Sequence, residues 1–476
     1  MTDTLRREAE KYRSARRSLW DRNAYLNRSW GGYYRARLQQ VYRHIVPEGA
    51  SVLEVGCGRG DLLAALRPGV GVGIDFSEVM ISLARQRYPK LQFIVGDAHE
   101  IDLGERRFDY IVLSDLLNDL WDVQCVLDRV RACCESRTRI ICNYYSHLWQ
   151  GPLWLARRFG IAAQNLPQNW LTHRDMTNLF ELTGFQTLRS WQEVLVPLAV
   201  PGISNLANRY LSKISPFRFF ALANLVVARP KPGRRKHPPK VSVVVPARNE
   251  AGHIAELISR IPVMGAQTEI IFIEGHSSDG TYAAIEQAIA DCRQGPRKLL
   301  KQPGFGKGDA VRAGFAAADG DILMILDADL TVPPEDLRRF YDLMIAGDAE
   351  FASGVRLVYP MEDRAMQFAN LLGNKFFSWA FSWLLGQPIR DTLCGTKTIW
   401  ASDYRRLAAN RAHFGEFDPF GDFDLLFGAA KLSLKITEVP IRYRARRFGK
   451  TNIQRWRHGA LLLRMVIFAA RRIKFV

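Results

Sequence analysis

The chain has 476 residues, too many for one ordinary hydrophobic core, so two or three domains are expected. Its 47% hydrophobic and 24% charged content is that of folded globular material and excludes a disordered or fibrous chain. The net charge of +18 leaves three partner classes, nucleic acid, an anionic membrane surface and phosphorylated substrates, to be separated by where the cations lie.

Seven cysteines without a C-x-x-C pair read as reduced cytosolic thiols rather than a disulfide framework. The first residues, M-T-D-T-L-R-R-E-A-E-K-Y-R, lack the apolar core of a secretory signal. No segment reaches the roughly 18 uninterrupted apolar residues of a spanning helix; Phe376 to Leu385 and Ala460 to Ala470 are long enough only to lie on a bilayer. A cytoplasmic chain held peripherally at the membrane face is expected.

Residues 1–48 are basic and aromatic, with apolar positions at helical spacing, and read as a helical extension. That spacing favours a cover over the next sheet above a separate binding arm. At Ser51 the pattern becomes S-V-L-E-V-G-C-G-R-G-D-L-L, a strand running into a glycine loop and a helix. Gly56, Gly58 and Gly60 let the backbone approach a ligand, and Glu54 at the strand end can accept hydrogen bonds. A second strand ends in Asp75, an acid placed to take both hydroxyls of a ribose. A third ends in Asp97 and a fourth near Ser114 and Asp115. Strands ending in polar residues, separated by helix-length segments, make a doubly wound α/β sheet with one ligand along its carboxyl edge.

These motifs, E-V-G-C-G-R-G, the Asp75 acid, G-D-A at Gly96 to Ala98 and S-D-L-L, resemble the class I S-adenosylmethionine-dependent methyltransferases. The resemblance implies a Rossmann-like domain over 49–229, closed by T-G-F-Q-T-L-R and N-L-V-V-A-R-P. It implies S-adenosyl-L-methionine with its methionine end near Glu54 to Gly60, its ribose on Asp75 and its adenine near Asp97 and Ala98. The methyl acceptor is not legible, because transfer from a sulfonium needs mainly in-line geometry. N-D-L-W-D and N-Y-Y-S-H-L-W are acceptor-site candidates, and His147 is a candidate base, although a lone His beside a tryptophan is more often structural.

Residues 230–240, P-K-P-G-R-R-K-H-P-P-K, hold almost nothing apolar and read as a stiff basic linker. Beyond it, V-S-V-V-V-P-A-R-N-E and E-I-I-F-I-E-G-H-S-S-D-G-T are buried strands leaving into polar turns. The segment P-G-F-G-K-G-D-A-V-R-A-G-F offers backbone amides, Lys307 and Arg312 to a diphosphate. Then D-I-L-M-I-L-D-A-D-L-T-V-P-P is a central strand ending on Asp327 and Asp329, which flank one small residue and can face one hard cation, Mg²⁺ or Mn²⁺.

Order, spacing and residue types over 241–457 resemble the family 2 glycosyltransferases of GT-A fold, most closely the dolichyl or polyprenyl phosphate mannose and glucose synthases. Carried over by that resemblance, the donor nucleotide would meet Pro246, Arg248, Glu250 and Glu274, with Asp279 supporting the turn. Asp327 and Asp329 would hold the metal, and Asp422 is a third ligand if the acceptor is a lipid phosphate. The sugar would lie along D-T-L-C-G-T-K, with Asp391, Gly395 and Lys397. Arg446, Arg447 and Lys450 would meet the acceptor phosphate. The sequence departs from the family where Gly275 replaces an acid and where Asn452 stands for a usual lysine.

Asp422 and Asp424 separate two mechanisms. A lipid phosphate is already an anion and attacks without a general base, whereas a sugar hydroxyl needs one, and Asp424 would be it. Between Arg442 and Lys474 there are eleven Lys or Arg and no Asp or Glu, beside the apolar L-L-L-R-M-V-I-F-A-A. Together with the aromatic run N-K-F-F-S-W-A-F-S-W-L-L-G, this points to a membrane-interface helix over 458–476 and favours the lipid phosphate. The expected protein is a bifunctional transferase. It takes a nucleotide-diphosphate sugar to a polyprenyl phosphate or related lipid with inversion, and carries a fused methyltransferase. The alternatives are a soluble glycan-tailoring enzyme and an RNA-modifying methyltransferase. Nucleic acid is disfavoured because the cations cluster at phosphate motifs and an apolar tail rather than a stacking platform.

Overall fold

The computed structural model describes residues 3–25, 32–160, 165–233, 237–292, 295–356, 358–359, 368–409, 421–444 and 455–475, with the side chains of 368–372, Asn374, Asp422 and 455–461 excepted. The chain divides into two compact units, Met1–Lys231 with the last three residues, and Pro232–Ile473.

The first unit is built on seven strands: β1 Ser51–Val55, β2 Val70–Asp75, β3 Gln92–Val95, β4 Phe108–Ser114, β5 Cys134–Tyr145, β6 Phe185–Glu193 and β7 Ala223–Pro230. Their order is β3-β2-β1-β4-β5-β7-β6. β1 to β5 run parallel, while β7 enters antiparallel between β5 and β6. Parallel central strands are covered on both faces, which is why Leu53, Ile111, Val112 and Ile141 are all fully buried. β1 and β4 diverge where the strand order reverses, and ligands of open α/β sheets bind outside the carboxyl ends at that point. Gly56 and Gly60 turn the chain there at φ 75° and 76°, and a Cβ on Gly60 would strike the Phe93 ring.

The second unit is a mixed seven-stranded sheet: β8 Val241–Ala247, β9 Thr268–Glu274, β10 Arg297–Lys301, β11 Ile322–Ile325, β12 Phe351–Val355, β13 Lys397–Trp400 and β14 Ile436–Pro440. The order is β10-β9-β8-β11-β13-β12-β14. β11 is central, parallel to β8 and antiparallel to β13, with Ile325 opposite both Val244 and Lys397. Ile322, Leu323, Met324, Ile325 and Leu326 are all buried, as the unbroken apolar run predicts. The architecture is therefore α/β twice over, a Rossmann-like sheet followed by a GT-A-like one.

The two apolar segments read as interfacial are helices of this second unit, Phe368–Leu385 and Arg455–Ala469. Each is used on one side by the core: Phe381, Leu384 and Leu385 share a cluster with Leu462, Met465 and Ala469. Phe376, Trp379, Leu463 and Ile467 remain exposed. Among the described residues no helix is long and apolar enough to cross a membrane.

Candidate active sites

A cavity of about 260 Å³ opens along the carboxyl edge of β1, β2 and β4. Of the cofactor-site residues expected from sequence, Glu54, Gly56, Gly58, Asp75, Asp97, Ala98 and Ser114 line it, and Gly60 caps the helix that follows. Glu54 is buried, burial raises its pKa well above the usual carboxylate value, and its Oε2 has no hydrogen-bond partner. A buried acceptor left open at a cavity wall fits a ligand that brings a donor, as an ammonium group does. Asp75 accepts Gly58 N at 2.8 Å and Ser77 N at 2.9 Å, one on each oxygen. A carboxylate has about four acceptor positions, so lone pairs remain for hydroxyls. Burial opposes ionisation of Asp97, but hydrogen bonds from His99 N and Nδ1 hold its carboxyl at about 2. These residues fit S-adenosylmethionine.

The part that two features take in this cavity goes beyond the sequence reading, which expects a helical cover from residues 1–48 and a polar strand end near Asp115. The first is the cover. The helix Asp3–Asn23 contributes Tyr12, Arg13, Arg16 and Trp20 to the lining. It is tied down by Arg13 on Asp97 at 3.3 Å and by Arg16 Nε donating to Asp119 O at 2.8 Å. Those arginines look like ordinary solvated charge in the sequence. The second is Asp115, the residue after β4, at φ 54°. Its Oδ1 accepts from Tyr34 Oη at 2.7 Å and from Asn143 Nδ2 at 2.5 Å. Burial pushes its carboxyl up to about 6. A strained acid that lines the cavity and is held by neutral donors is a better base candidate than His147. His147 is exposed against Trp170 and is not part of the lining. Of the other acceptor candidates, Asp119, Leu120 and Trp121 line the cavity, Trp121 packing edge-on against Tyr12, while Asn118 bonds Asn169 O and Tyr145 N.

In the second unit the ends of β8, β9 and β11 bring together segments far apart in sequence. Asp327 and Asp329 leave β11 on the same side: burial raises the pKa of Asp329, and the charge of Asp327 raises it further. Lys307 Nζ lies 2.5 Å from Asp327 Oδ1, a countercharge where a cation would sit. Gly395, from the D-T-L-C-G-T-K loop, packs so close that a Cβ would overlap Asp327 Oδ2 and Lys307 Nζ. Gly421, the N-cap of the helix Asp422–Lys431, lies against Gly308 of the helix Lys307–Ala316, a Cβ on it falling 2.6 Å from Gly308 Cα. The start of the Asp422–Asp424 helix thus adjoins the Lys307 turn. Arg444 N donates to Thr331 O at 2.9 Å, so the chain passes the same place as it approaches residues 445–450.

The paired carboxylates and their countercharge fit a divalent cation. Among the described residues no group of three His, Cys, Asp or Glu is assembled. The side chain of Asp422 lies outside them, as do Arg446, Arg447 and Lys450.

The remaining expected donor-site residues fall into two groups. Pro246 is the last residue but one of β8, Arg248 is exposed beyond it, and Arg312 is a partly exposed cation 3.9 Å from Asp309. Glu250, Glu274 and Asp279 brace the turns: Glu250 bonds His253 at 2.8 Å, Glu274 accepts Ser277 N at 2.6 Å, and Asp279 accepts Thr281 N at 3.0 Å. Two positions assigned to the sugar serve the loop itself. Asp391 gives both oxygens to Arg356, at 2.6 and 2.8 Å, and this pair keeps its pKa low despite burial. Lys397 is buried, with Nζ on Cys394 O at 2.5 Å. Arg356 lies outside the quoted motifs, so sequence reading had no partner to offer Asp391.

Comparison with known proteins agrees with this division. Residues 47–195 match the family "Methyltransferase domain", and residues 242–406 match "Glycosyl transferase family 2". Glycosyltransferase AglJ of Haloferax volcanii is 29% identical over 227 residues, covering 47% of this chain and 70% of that protein. Undecaprenyl-phosphate 4-deoxy-4-formamido-L-arabinose transferase of Klebsiella pneumoniae is 35% identical over 112 residues, covering 22% of this chain and only 34% of that protein. Glucosyl-3-phosphoglycerate synthase from Mycobacterium tuberculosis matches 49% of this chain and 80% of its own at 20% identity and a TM-score of 0.37. The chain carries a methyltransferase domain followed by a family 2 glycosyltransferase domain.

Proposed function

We propose that the second unit transfers a sugar, with inversion, from a nucleotide-diphosphate donor to a polyprenyl phosphate or related lipid phosphate at the cytoplasmic membrane face, and that the first unit is an S-adenosylmethionine-dependent methyltransferase of the same pathway. The observation that carries the glycosyl reading is the meeting of Asp327, Asp329, Lys307 and Gly395 at the carboxyl end of β11. The names of the relatives support a lipid phosphate as acceptor.

A divalent cation between Asp327 and Asp329 would supply neutralisation of the leaving diphosphate. Lys307 and Arg312 add fixed positive charge on the donor side, and Pro246, Arg248 and Glu274 border the nucleotide. The acceptor phosphate, drawn by Arg446, Arg447 and Lys450, attacks the anomeric carbon from the opposite face, and one in-line displacement inverts that centre. In the first unit S-adenosylmethionine would supply the methyl group. Glu54 and Asp75 anchor it, and Asp115 takes the proton of a neutral acceptor.

The test incubates the protein with Mg²⁺, radiolabelled nucleotide sugars and membrane lipid extract. Label should enter the organic phase with the unaltered chain and fall to background with Asp329→Ala. Equal labelling by both proteins would remove the reading.

A further inference from the structure

Between β6 and β7 the first unit carries a segment folded with its polar side inward. In the helix Ile203–Arg209 the buried residues are Ser204, Ala207 and Asn208, while Ile203 and Leu206 are exposed. The polar side chains are fully used beneath: Ser204 Oγ donates to Leu198 O at 2.5 Å, and Asn208 bonds Val196 through both its O and N atoms. The pattern continues past the helix. Ser212 is buried on Asn208 O, and Lys213 is buried against Glu193, whereas Ile214, Phe217, Phe219 and Phe220 face outward. A soluble surface places these two sets the other way round.

The outward face does not stop there. Trp149 Nε1 donates to Phe220 O at 2.8 Å, joining this segment to the helix Gln150–Arg158. No side chain of that helix is fully buried, Leu153 being half-buried against the core. Trp154 is 64% and Phe159 70% exposed. Large apolar side chains exposed on two segments joined in this way mark an interaction site.

Charge identifies what would cover it. There is no Asp or Glu between Glu135 and Asp175, and none between Glu193 and Glu250. Arg158 and Arg218 are exposed among the aromatic residues, Arg218 with its guanidinium 5.0 Å from the Phe219 ring, and Arg209 is exposed with its Nε donating to Phe475 O at 3.0 Å. Exposed aromatics interspersed with arginines, in stretches free of acid, complement an anionic bilayer surface.

We propose that residues 148–159 and 203–220 of the methyltransferase unit form a docking face for anionic lipid. This rests on neither transfer reaction. Its polar underside is tied to the cavity's surroundings: Asn208 and Asn205 both bond Tyr33 Oη, and the next residue, Tyr34, bonds Asp115. A methyl acceptor carried by a membrane lipid would be presented at this face.

The experiment is flotation of the full chain with vesicles of phosphatidylcholine alone or with phosphatidylglycerol. It compares the unaltered protein, Phe217→Ser/Phe219→Ser/Phe220→Ser and Arg209→Glu/Arg218→Glu. Each is also made in a background of Leu463→Ser/Ile467→Ser, so that any contribution of the C-terminal helix is separated. Both sets of substitutions should lower binding to anionic vesicles about tenfold or more in either background. The arginine variant should lose nothing with neutral vesicles. As a second reading independent of those variants, brominated lipid should quench tryptophan emission of the unaltered chain more than that of Trp154→Phe. Unchanged flotation by both variants, or equal quenching, overturns the proposal. So does a dimer in sedimentation that the phenylalanine variant abolishes while vesicle binding stays unaltered, which would give the face to a second copy.

Discussion

A Cβ on Gly395 would land on Asp327 Oδ2 and on Lys307 Nζ. Gly395→Ala must therefore push apart the carboxylate and its countercharge, and a displacement of about 1 Å at a reacting centre costs on the order of a hundredfold in rate. Sugar transfer should fall by that order while the donor nucleotide still protects the protein in a thermal melt. In the other unit, Asp115 has its folded pKa raised to about 6 by burial. The native state then binds more protons than the unfolded chain between about pH 4 and 6, so stability falls as pH rises through that window. Two pKa units correspond to about 3 kcal/mol. Asp115→Asn should abolish that fall, seen as melting temperatures that diverge from the unaltered protein below pH 6 and run parallel above it. Residues of this kind resist sequence reading. Tyr34 and Asn143 reach Asp115 from 81 and 28 positions away, whereas Asp327 and Asp329 are announced by the apolar run that precedes them.

The strands read most directly were apolar runs that end in a polar turn, whereas the buried β12 and β13 lie outside any such run. β1, β8, β9 and β11 are apolar runs ending in polar turns, and each lies inside its sheet. β10, R-K-L-L-K, lies at a sheet edge, is nowhere fully buried, and has no such run. Helix roles were harder, because an amphipathic cationic helix looks the same whether its apolar side meets a bilayer or a core. The helix Arg455–Ala469 buries Leu462, Met465 and Ala469 beside Phe381 and Leu384. A chain ending near Gly459 would lose those contacts, each large side chain costing about 2–5 kcal/mol, so its melting temperature should drop along with any vesicle binding. Leu463→Ser/Ile467→Ser alters only exposed positions. It should leave the melt within a few degrees and still weaken flotation with anionic vesicles if this helix meets lipid. Unchanged flotation would confine the helix to a structural role.

On the scale of the whole molecule, the excess of positive charge has several addresses rather than one. Arg13 and Arg16 close the cofactor cavity, Lys307 faces Asp327, and Arg209 and Arg218 border exposed aromatics. This distribution suits small anionic ligands and lipid headgroups better than a continuous nucleic-acid track. Two sheets, each with its candidate site at the carboxyl edge, were readable from motif order. The methyl acceptor was not, because nothing in methyl transfer demands a fixed signature. The most direct measurement for the central claim offers the chain, with Mn²⁺ and a labelled nucleotide sugar, a polyprenyl phosphate or the same polyprenol without its phosphate. Label should pass to the polyprenyl phosphate alone. Label on the polyprenol, or only on a water-soluble glycan, would contradict a lipid phosphate acceptor and leave Asp424 as the base of a hydroxyl-directed transferase.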